Sequence, residues 1–337
     1  MSAPERIPPG RVSASDPAPP HAGVGAAPSD EATRTLLATG TLTVRGRITE
    51  ASNAVLYGVV THEGREVPCV YKPVAGERPL WDFPDGNLAQ REVASYEISR
   101  VTGWELIPAT VLRDGPYGEG MCQAWVGEPP DAEPDDEDGT EGRPATDEAG
   151  TADDGTADDA GADADADAGD GSGEEGERPL LALVEGDEPG EGWKAIGFAD
   201  VGGGRSALLV HADDERLRRL AVLDAVLNNG DRKGGHLLPR PDGRLYAIDH
   251  GVTFHVDDKL RTLLWGWAGE ELTAEATEAL RRLSAALAEG APLAVRLSAL
   301  ITDAEVDAVR KRTEAMLSSG RHPLPSGDWP AIPWPPV

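Results

Sequence analysis

Residues 220–254, LAVLDAVLNNGDRKGGHLLPRPDGRLYAIDHGVTF, constrain the fold more than any other stretch of this 337-residue chain. Their pattern predicts an apolar helix, a polar loop (the first loop, residues 228–236), a β-hairpin and another polar loop (the second loop, residues 248–254). The first loop presents Asp231 and the second presents Asp249. Two carboxylates on neighbouring loops above one hairpin can hold a metal ion beside a reacting group. The remaining segments must either supply partners for this arrangement or lie outside it.

Either aspartate alone is also what an ordinary turn would contain. The combination is more specific, because Gly230 permits an unusual backbone conformation and two further glycines keep the first loop slim enough for a ligand to approach. Asp249 follows a predicted strand and precedes His250 and Gly251. This joint pattern favours a functional site over two unrelated turns.

The segment before residue 126 predicts a small antiparallel sheet with one helix packed on it. Apolar and polar residues alternate on both sides of the turn ITEASN, which is typical of a hairpin. Lys72 lies near the end of the third predicted strand, and Glu92 lies in the first half of the predicted helix. Glu97, about one turn further on, is an alternative to Glu92 as a partner for the lysine. The predicted strands are residues 41–60 (the hairpin), 65–74, 106–112 and 120–126, and the helix is 88–101.

The segment after residue 179 predicts a mainly helical unit. A short apolar run at 180–184 indicates a buried strand, and the apolar spacing from His211 onward indicates a helix that opens on two aspartates. Thr302 and Glu305 form a capping box at the start of the last helix. The predicted helices are residues 211–229, 272–287, 292–300 and 302–317, and the hairpin strands are 237–238 and 245–248.

Composition divides the chain further. Residues 1–29 are rich in Pro, Ala, Gly and Ser and predict a disordered tail. Residues 127–178 are low in complexity, and 20 of the 60 acidic residues lie between Asp131 and Arg178, so this segment is predicted to be a disordered acidic insertion rather than a core-forming unit. A role in binding a basic partner is the alternative to a solvated insertion. The predicted divisions are therefore a small β-rich unit at 30–126, a mainly helical unit at 179–320 and a Pro-rich tail at 321–337.

The formal net charge of −29 bears on partners. A chain this acidic is repelled by nucleic acid and by anionic membranes, so we expect no nucleic-acid binding and no stable membrane association. Cys69 and Cys122 have no metal-like spacing and are expected to be reduced thiols. With no signal-peptide pattern and no apolar run long enough to cross a membrane, the expected location is cytoplasmic.

The motifs GDRKGGHLL and AIDHG resemble the catalytic and metal-binding loops of the protein-kinase-like fold, in particular the phosphatidylinositol 3- and 4-kinase catalytic domain and its small bacterial relatives. The resemblance implies an α+β, two-lobed fold, with residues 30–126 as the nucleotide-binding lobe and residues 179–320 as the catalytic lobe. It implies that Asp231 is the catalytic aspartate and that Asp249 is the aspartate of the Asp-Phe-Gly motif, with His250 in the Phe position. It also implies that Lys72 pairs with the phosphates of ATP and that Glu92 holds this lysine.

The activity implied is transfer of the γ-phosphoryl group of ATP to a hydroxyl acceptor, with Asp231 as the base and Asp249 as a ligand of Mg²⁺, or of Mn²⁺ in its place. Ser52 and Asn53, at the tip of the ITEASN turn, are expected to cover the phosphates. Arg232 and Lys233 either balance nearby carboxylates or neutralise phosphate charge during transfer, and we count Arg232 among the candidate catalytic residues.

One position departs from the family pattern. His236 stands where the family has a metal-binding asparagine, five residues after the catalytic aspartate. A neutral imidazole is a poor ligand for Mg²⁺, so His236 either holds a different metal, contacts a phosphate, or marks the loss of a second metal site. The alternatives to a kinase are a nucleotide-binding pseudokinase that acts as an interaction protein and a nucleotidyl (AMP) transferase.

The acceptor stays open among a protein side chain, a small metabolite and a lipid headgroup. A phosphoinositide headgroup would need several cations after the second loop. Residues 252–271 contain only Lys259 and Arg261, which disfavours a phosphoinositide acceptor.

Overall fold

The computed structural model describes residues 30–48, 53–78, 80, 82–83, 85–130, 179–200 and 205–335. The predicted N-terminal tail, the body of the predicted acidic insertion and Ser52 lie outside these residues. The described chain is a mixture of helices and antiparallel sheets, which confirms the predicted α+β class. Within the described ranges, no helix combines the length and apolar character needed to cross a membrane.

The first lobe is a five-stranded antiparallel sheet with two helices. Its strand order is β1-β2-β3-β5-β4, so β3 lies at the centre between the first hairpin and the second. The first half of the predicted strand 106–112 is not a strand, because Pro108 cannot donate to a ladder and Leu106 instead accepts a hydrogen bond from the Ala247 N–H, 2.7 Å away. The elements are α1 (Glu31–Thr39), β1 (Thr41–Ile48), β2 (Val55–His62), β3 (Arg65–Pro73), α2 (Leu88–Thr102), β4 (Thr110–Gly115) and β5 (Gly118–Ala124).

The ends of α2 are defined by side chains and by one glycine. Asn87 caps the N-terminus, its side-chain oxygen accepting the N–H of Gln90 at 2.8 Å. The carboxylate of Glu77 accepts two more first-turn N–H groups, each at 2.8 Å. Gly103 ends the helix at φ 73°, a left-handed conformation that glycine adopts without steric cost. These caps fix where α2 begins, and therefore where Glu92 stands relative to the sheet.

The second lobe contains a three-stranded sheet, a short hairpin and four helices among the described residues. The sheet has the order β6-β8-β7, and β9 pairs with β10 between the first and second loops. Its elements are β6 (Leu181–Val184), β7 (Trp193–Asp200), β8 (Ser206–Ala212), α3 (Glu215–Leu227), β9 (Leu237–Pro239), β10 (Leu245–Ala247), α4 (Ala274–Ala286), α5 (Pro292–Ser298) and α6 (Asp303–Ser319).

Two predictions for this lobe were wrong. The helix predicted to begin at His211 begins at Glu215, because β8 continues to Ala212 and Asp214 caps the helix by accepting the Arg216 N–H at 2.7 Å. A buried apolar run cannot be assigned to strand or helix from periodicity alone. The strand predicted to be buried is the edge strand β6, where Leu183 is 54% exposed.

Helix α2 is buried on several sides. Even the charged Arg91 has only 2% of its surface accessible. Its guanidinium donates to the Thr253 carbonyl at 2.7 Å and pairs with Glu305 at 2.6 Å. Glu305 also completes the predicted capping box with Thr302. One arginine thus joins α2 to the second loop and to the start of α6.

Two buried histidines of the second lobe predict a pH-dependent stability. Burial lowers the pKa of His211 and of His322 to about 4. Between the ordinary pKa of about 6.5 and this value the unfolded chain binds more protons, so stability rises with pH there. We expect the contribution of the two neutral histidines to the free energy of unfolding to be complete above about pH 6.5. Towards pH 4 the free energy of unfolding should fall by up to about 3 kcal/mol per histidine. Urea unfolding midpoints at pH 7.0, 5.5 and 4.5 measure this.

The variant His211→Gln should flatten that pH dependence, whereas His62→Asn, at an exposed strand end, should leave it unchanged. An equal slope in wild type and His211→Gln would contradict the assignment.

Candidate active site

Lys72 is the centre of a three-way contact between β3, α2 and the second loop. It lies on β3, paired with Met121 of β5. Its Nζ donates to Glu92 Oε1 at 2.8 Å and to Asp249 Oδ1 at 3.1 Å. Burial alone would lower the pKa of Lys72, but the charges of Asp249 and Glu92 and the two hydrogen bonds outweigh it and raise the pKa. The ammonium is therefore charged at neutral pH.

Glu92 joins the lysine to the second loop. While Oε1 holds Lys72, Oε2 accepts the backbone N–H of His250 at 3.0 Å. The rival Glu97 is engaged elsewhere, 3.1 Å from Arg100. The structure thus separates two glutamates that the sequence left as alternatives: Glu92 is the partner of Lys72.

This arrangement predicts different effects at the two glutamates. In Glu92→Gln the charge that orients the ammonium is lost, and we expect the ATP-dependent activity proposed below to fall about 10²-fold, the scale of a small misplacement of a binding group. Glu97→Gln is the matched control on the same helix and should change activity less than about 3-fold. Steady-state rates at saturating ATP measure both. Equal losses in the two variants would contradict the assignment of Glu92.

Asp249 has an uncommon backbone conformation. Its φ is 61°, in the left-handed region that non-glycine residues rarely occupy. The charge of Lys72 holds the pKa of its carboxyl well below the usual range. The second loop then approaches α2 closely at Gly251, where a Cβ atom would lie 3.2 Å from the Leu88 Cβ. A strained aspartate held by several partners is typical of a functional site.

Asp231 lies in the first loop, partly exposed. Its N–H donates to Asn229 Oδ1 at 2.9 Å, and its carboxylate lies 2.9 Å from the ammonium of Lys233. Asn229 in turn donates to Asp224 at 3.0 Å. Lys233 therefore lies where it can balance the charge of Asp231, which is one of the two roles that the sequence allowed for it.

Arg232, which we counted among the candidate catalytic residues, has structural contacts in the core. Its side chain is completely buried and forms two hydrogen bonds with the Asp224 carboxylate, at 2.9 and 3.0 Å. It also donates to the Ile248 carbonyl at 2.8 Å and contacts His250 Nε2 at 2.6 Å. All of its contacts point into the core, so Arg232 balances a buried carboxylate and joins the first loop to the second.

These contacts also determine the state of His250. Arginine can only donate, so Nε2 of His250 accepts from Arg232 and the proton of the neutral ring lies on Nδ1. Burial, followed by the charge of Arg232, lowers the pKa of His250 well below its ordinary value. The Nδ1–H faces Glu92 Oε2 at 4.0 Å. His250 is a packing residue that has no lone pair left for a metal.

His236 stands beside Asp249. Its Nδ1 accepts a long hydrogen bond from the Lys233 N–H at 3.4 Å, which leaves the proton on Nε2, 3.5 Å from Asp249 Oδ2. Burial lowers the pKa of His236 despite the nearby carboxylates, so the ring is neutral. In this tautomer neither nitrogen offers a free lone pair. The predicted metal-ligand role of His236 is not supported, and the geometry favours the alternative of a donor towards phosphate.

The turn predicted to cover the phosphates is described only in part. Asn53 accepts the Arg78 N–H at 3.0 Å, so its side-chain oxygen holds the segment after β3. Ser52 lies outside the described residues. A phosphate-covering role for either residue stays a prediction.

Three residues that shape the site were missed by sequence reasoning. Asp224 and Asn229 hold the first loop, and Glu77 caps α2. Asp224 gave a signal, since a carboxylate within an apolar helix is rarely buried without a cationic partner. The other two gave none, because a surface loop and a helix cap contain the same residue types.

The side chains near the site that could be metal ligands indicate how a metal ion would bind. Over the described ranges, no group of three or more His, Cys, Asp or Glu side chains is arranged to hold one. Asp249 is half exposed and offers a carboxylate, the kind of ligand that Mg²⁺ uses when phosphate and water supply the rest. The site therefore fits a cation that arrives with a phosphate ligand.

The structure brings together the residues that the resemblance named. A central-strand lysine is paired with a helix glutamate, and two aspartate loops flank a hairpin, which is the arrangement that the resemblance to the protein-kinase-like fold predicted. No family model matches the chain.

The chain belongs to the family of Protein Rv2133c of Mycobacterium tuberculosis, with which it shares 43% identity over 300 residues, 89% of this chain and 94% of that protein.

Three solved structures are similar at lower levels. A hydra Fam20 solved with sugar has a TM-score of 0.42 and 11% identity, covering 85% of this chain and 86% of that one. A Golgi casein kinase has a TM-score of 0.43 and 10% identity, covering 86% and 74%. The Golgi casein kinase with Mn/ADP bound has a TM-score of 0.45 and 11% identity, with the same coverage.

Proposed function

We propose that this protein is an ATP-dependent phosphotransferase that moves the γ-phosphoryl group to a hydroxyl acceptor in the cleft between the lobes. The observation that carries the proposal is the convergence on Lys72, where Glu92 and Asp249 from two other elements lie within 3.1 Å of one ammonium. Isolated ion pairs are common, but a shared cation between a buried helix carboxylate and a strained, half-exposed loop carboxylate is characteristic of a phosphate site.

In this proposal each residue has a definite task. Lys72 leaves Asp249 and pairs with phosphate oxygens, while Glu92 keeps the ammonium aimed. Asp231 accepts the proton of the attacking hydroxyl on its carboxylate. His236 donates from Nε2, and Lys233 meets the charge on the transferred group. Mg²⁺, or Mn²⁺, held by Asp249, would supply charge neutralisation between the phosphates.

The proposal specifies the acceptor only as a compound with a hydroxyl group. The finer resemblance to phosphatidylinositol kinases stays a prediction, with a protein side chain, a small metabolite and a lipid headgroup as candidates. A cytoplasmic location and the two-lobe division at residues 126 and 179 are proposed on the same footing.

A nucleotide-binding pseudokinase is the second candidate. It is favoured by one observation, the replacement of the family's metal-binding amide by His236, whose protonated Nε2 faces Asp249. Such a protein would bind nucleotide in the same cleft without transfer.

Labelled ATP separates the candidates. We expect the full-length protein to release or transfer label from γ-labelled ATP with Mg²⁺ or Mn²⁺, and to transfer none from α-labelled ATP. Transfer of α-label would identify a nucleotidyl transferase. Binding of ATP without hydrolysis or transfer, measured by calorimetry, would identify the pseudokinase. If the protein is a kinase, the variant Asp231→Asn should bind ATP as tightly as the wild type but should lose turnover.

A further inference from the structure

The C-terminal residues lie against the segment that follows the second loop. Ala331 accepts two hydrogen bonds from this segment, one from the Thr262 N–H at 3.0 Å and one from the Trp265 indole at 2.7 Å. Further back, Leu272 donates to the Gly320 carbonyl at 2.8 Å. We call residues 328–331 the strap and residues 259–265 the strapped segment.

The other side of the strapped segment pairs with the first loop. The Arg261 N–H donates to the Asn229 carbonyl at 2.8 Å, and the Arg232 N–H donates to the Arg261 carbonyl at 3.0 Å. Arg232 and Thr262 form a parallel bridge. The first loop, the strapped segment and the strap are therefore three adjacent chains, with Asp231 on the first of them.

A second contact joins the same layers to the small lobe. Lys259 pairs with Asp82, in the loop before α2, at 3.2 Å. The same ammonium lies 4.6 Å from the ring centroid of Trp329 in the strap. Both charged side chains are largely buried, which strengthens the ion pair and the cation–π contact relative to a solvated position.

We propose that the strap is a positioning element, which holds the first loop in place through the strapped segment and couples it to the small lobe through Trp329, Lys259 and Asp82. The physical reason is that Arg232 N–H has its partner on the strapped segment, whose own outer edge is paired with Ala331. Without the strap, that edge exposes unpaired backbone groups, and the loop that presents Asp231 loses its support.

The experiment compares two tryptophans of the same tail in the full-length protein by hydrogen exchange. In Trp329→Ala we expect backbone amides of the first loop and the strapped segment to exchange at least about 10-fold faster, while amides of β2 and β3 keep their wild-type rates. Trp334→Ala is the matched control, since Trp334 is 80% exposed, and it should change neither. Lys259→Met should reproduce the pattern of Trp329→Ala.

Unchanged exchange rates in Trp329→Ala would overturn the positioning role. A uniform increase across all elements would also overturn it, because it would indicate global destabilisation alone. The exchange pattern does not depend on catalysis, so it stands even if the proposed phosphotransferase activity fails. If that activity is present, Trp329→Ala should lower kcat while the KM for ATP changes little. A rise in kcat would mean that the strap blocks the site, and would also overturn the inference.

Discussion

The substitution Asp249→Asn should lower the rate of γ-phosphoryl transfer by about 10³-fold or more, the scale on which a preorganised charged group in a transfer site acts. Asparagine has nearly the same shape and tolerates the left-handed conformation observed at φ 61°, so the change removes the charge without adding backbone strain. Lys72 keeps its contact with Glu92, and the fold should be retained. Initial rates with γ-labelled ATP at several Mg²⁺ concentrations measure the effect.

Asp257→Asn is the matched control for this prediction, because Asp257 has the same chemistry, follows the second loop and has a side chain that is 78% exposed. Its rate should stay within about 2-fold of wild type. If Asp249→Asn retained wild-type activity at every metal concentration, Asp249 would not hold the metal and the assignment of the site would fail.

The substitution Arg232→Met should lower the free energy of unfolding by about 3–5 kcal/mol, because it leaves the completely buried Asp224 carboxylate without its cationic partner. This is a large fraction of the 5–15 kcal/mol that a typical domain has. Arg232→Lys should recover little, since an ammonium cannot form the paired hydrogen bonds of the guanidinium. Guanidinium chloride unfolding midpoints measure the loss.

Two controls distinguish loss of a partner from loss of a contact. The double variant Asp224→Leu with Arg232→Met removes both charges and should be more stable than Arg232→Met alone. Arg219→Met breaks an ion pair with Glu275 on the surface of the same lobe and should cost less than about 1 kcal/mol. Equal losses in Arg219→Met and Arg232→Met would contradict the structural role given to Arg232.

The fold was predictable where the pattern was local. The first hairpin, α2 and the capping box at Thr302 each follow from a short run of residues with one dominant signal. Strand β8 was not predictable in the same way, because its apolar residues are buried on both faces and therefore lack the alternation that marks a strand. The status of β6 as an edge strand depends on pairing with β8, which is a property of the tertiary fold.

The sequence predicted which residues lie near the site, but it did not predict where each side chain points. Lys72 and Asp249 were identified from their positions at strand ends, and they meet in the structure. Glu92 was preferred to Glu97 only through the resemblance, because α2 is buried on several sides and its sequence has no clear outer face. Arg232 is adjacent to Asp231 in the loop, yet its side chain points to the core, since the buried Asp224 requires a cation there.

The buried Arg91 has a consequence for motion. An enzyme with two lobes can open by rotating its sheet, or it can be switched off by swinging the helix that contains the glutamate partner of the lysine. In this protein the second route would separate Arg91 from both Thr253 and Glu305, and leaving a buried charge without its partner costs about 3–5 kcal/mol. Helix α2 is in this respect anchored to the second lobe as well as to the sheet. Control of this protein by displacement of α2 alone is therefore disfavoured.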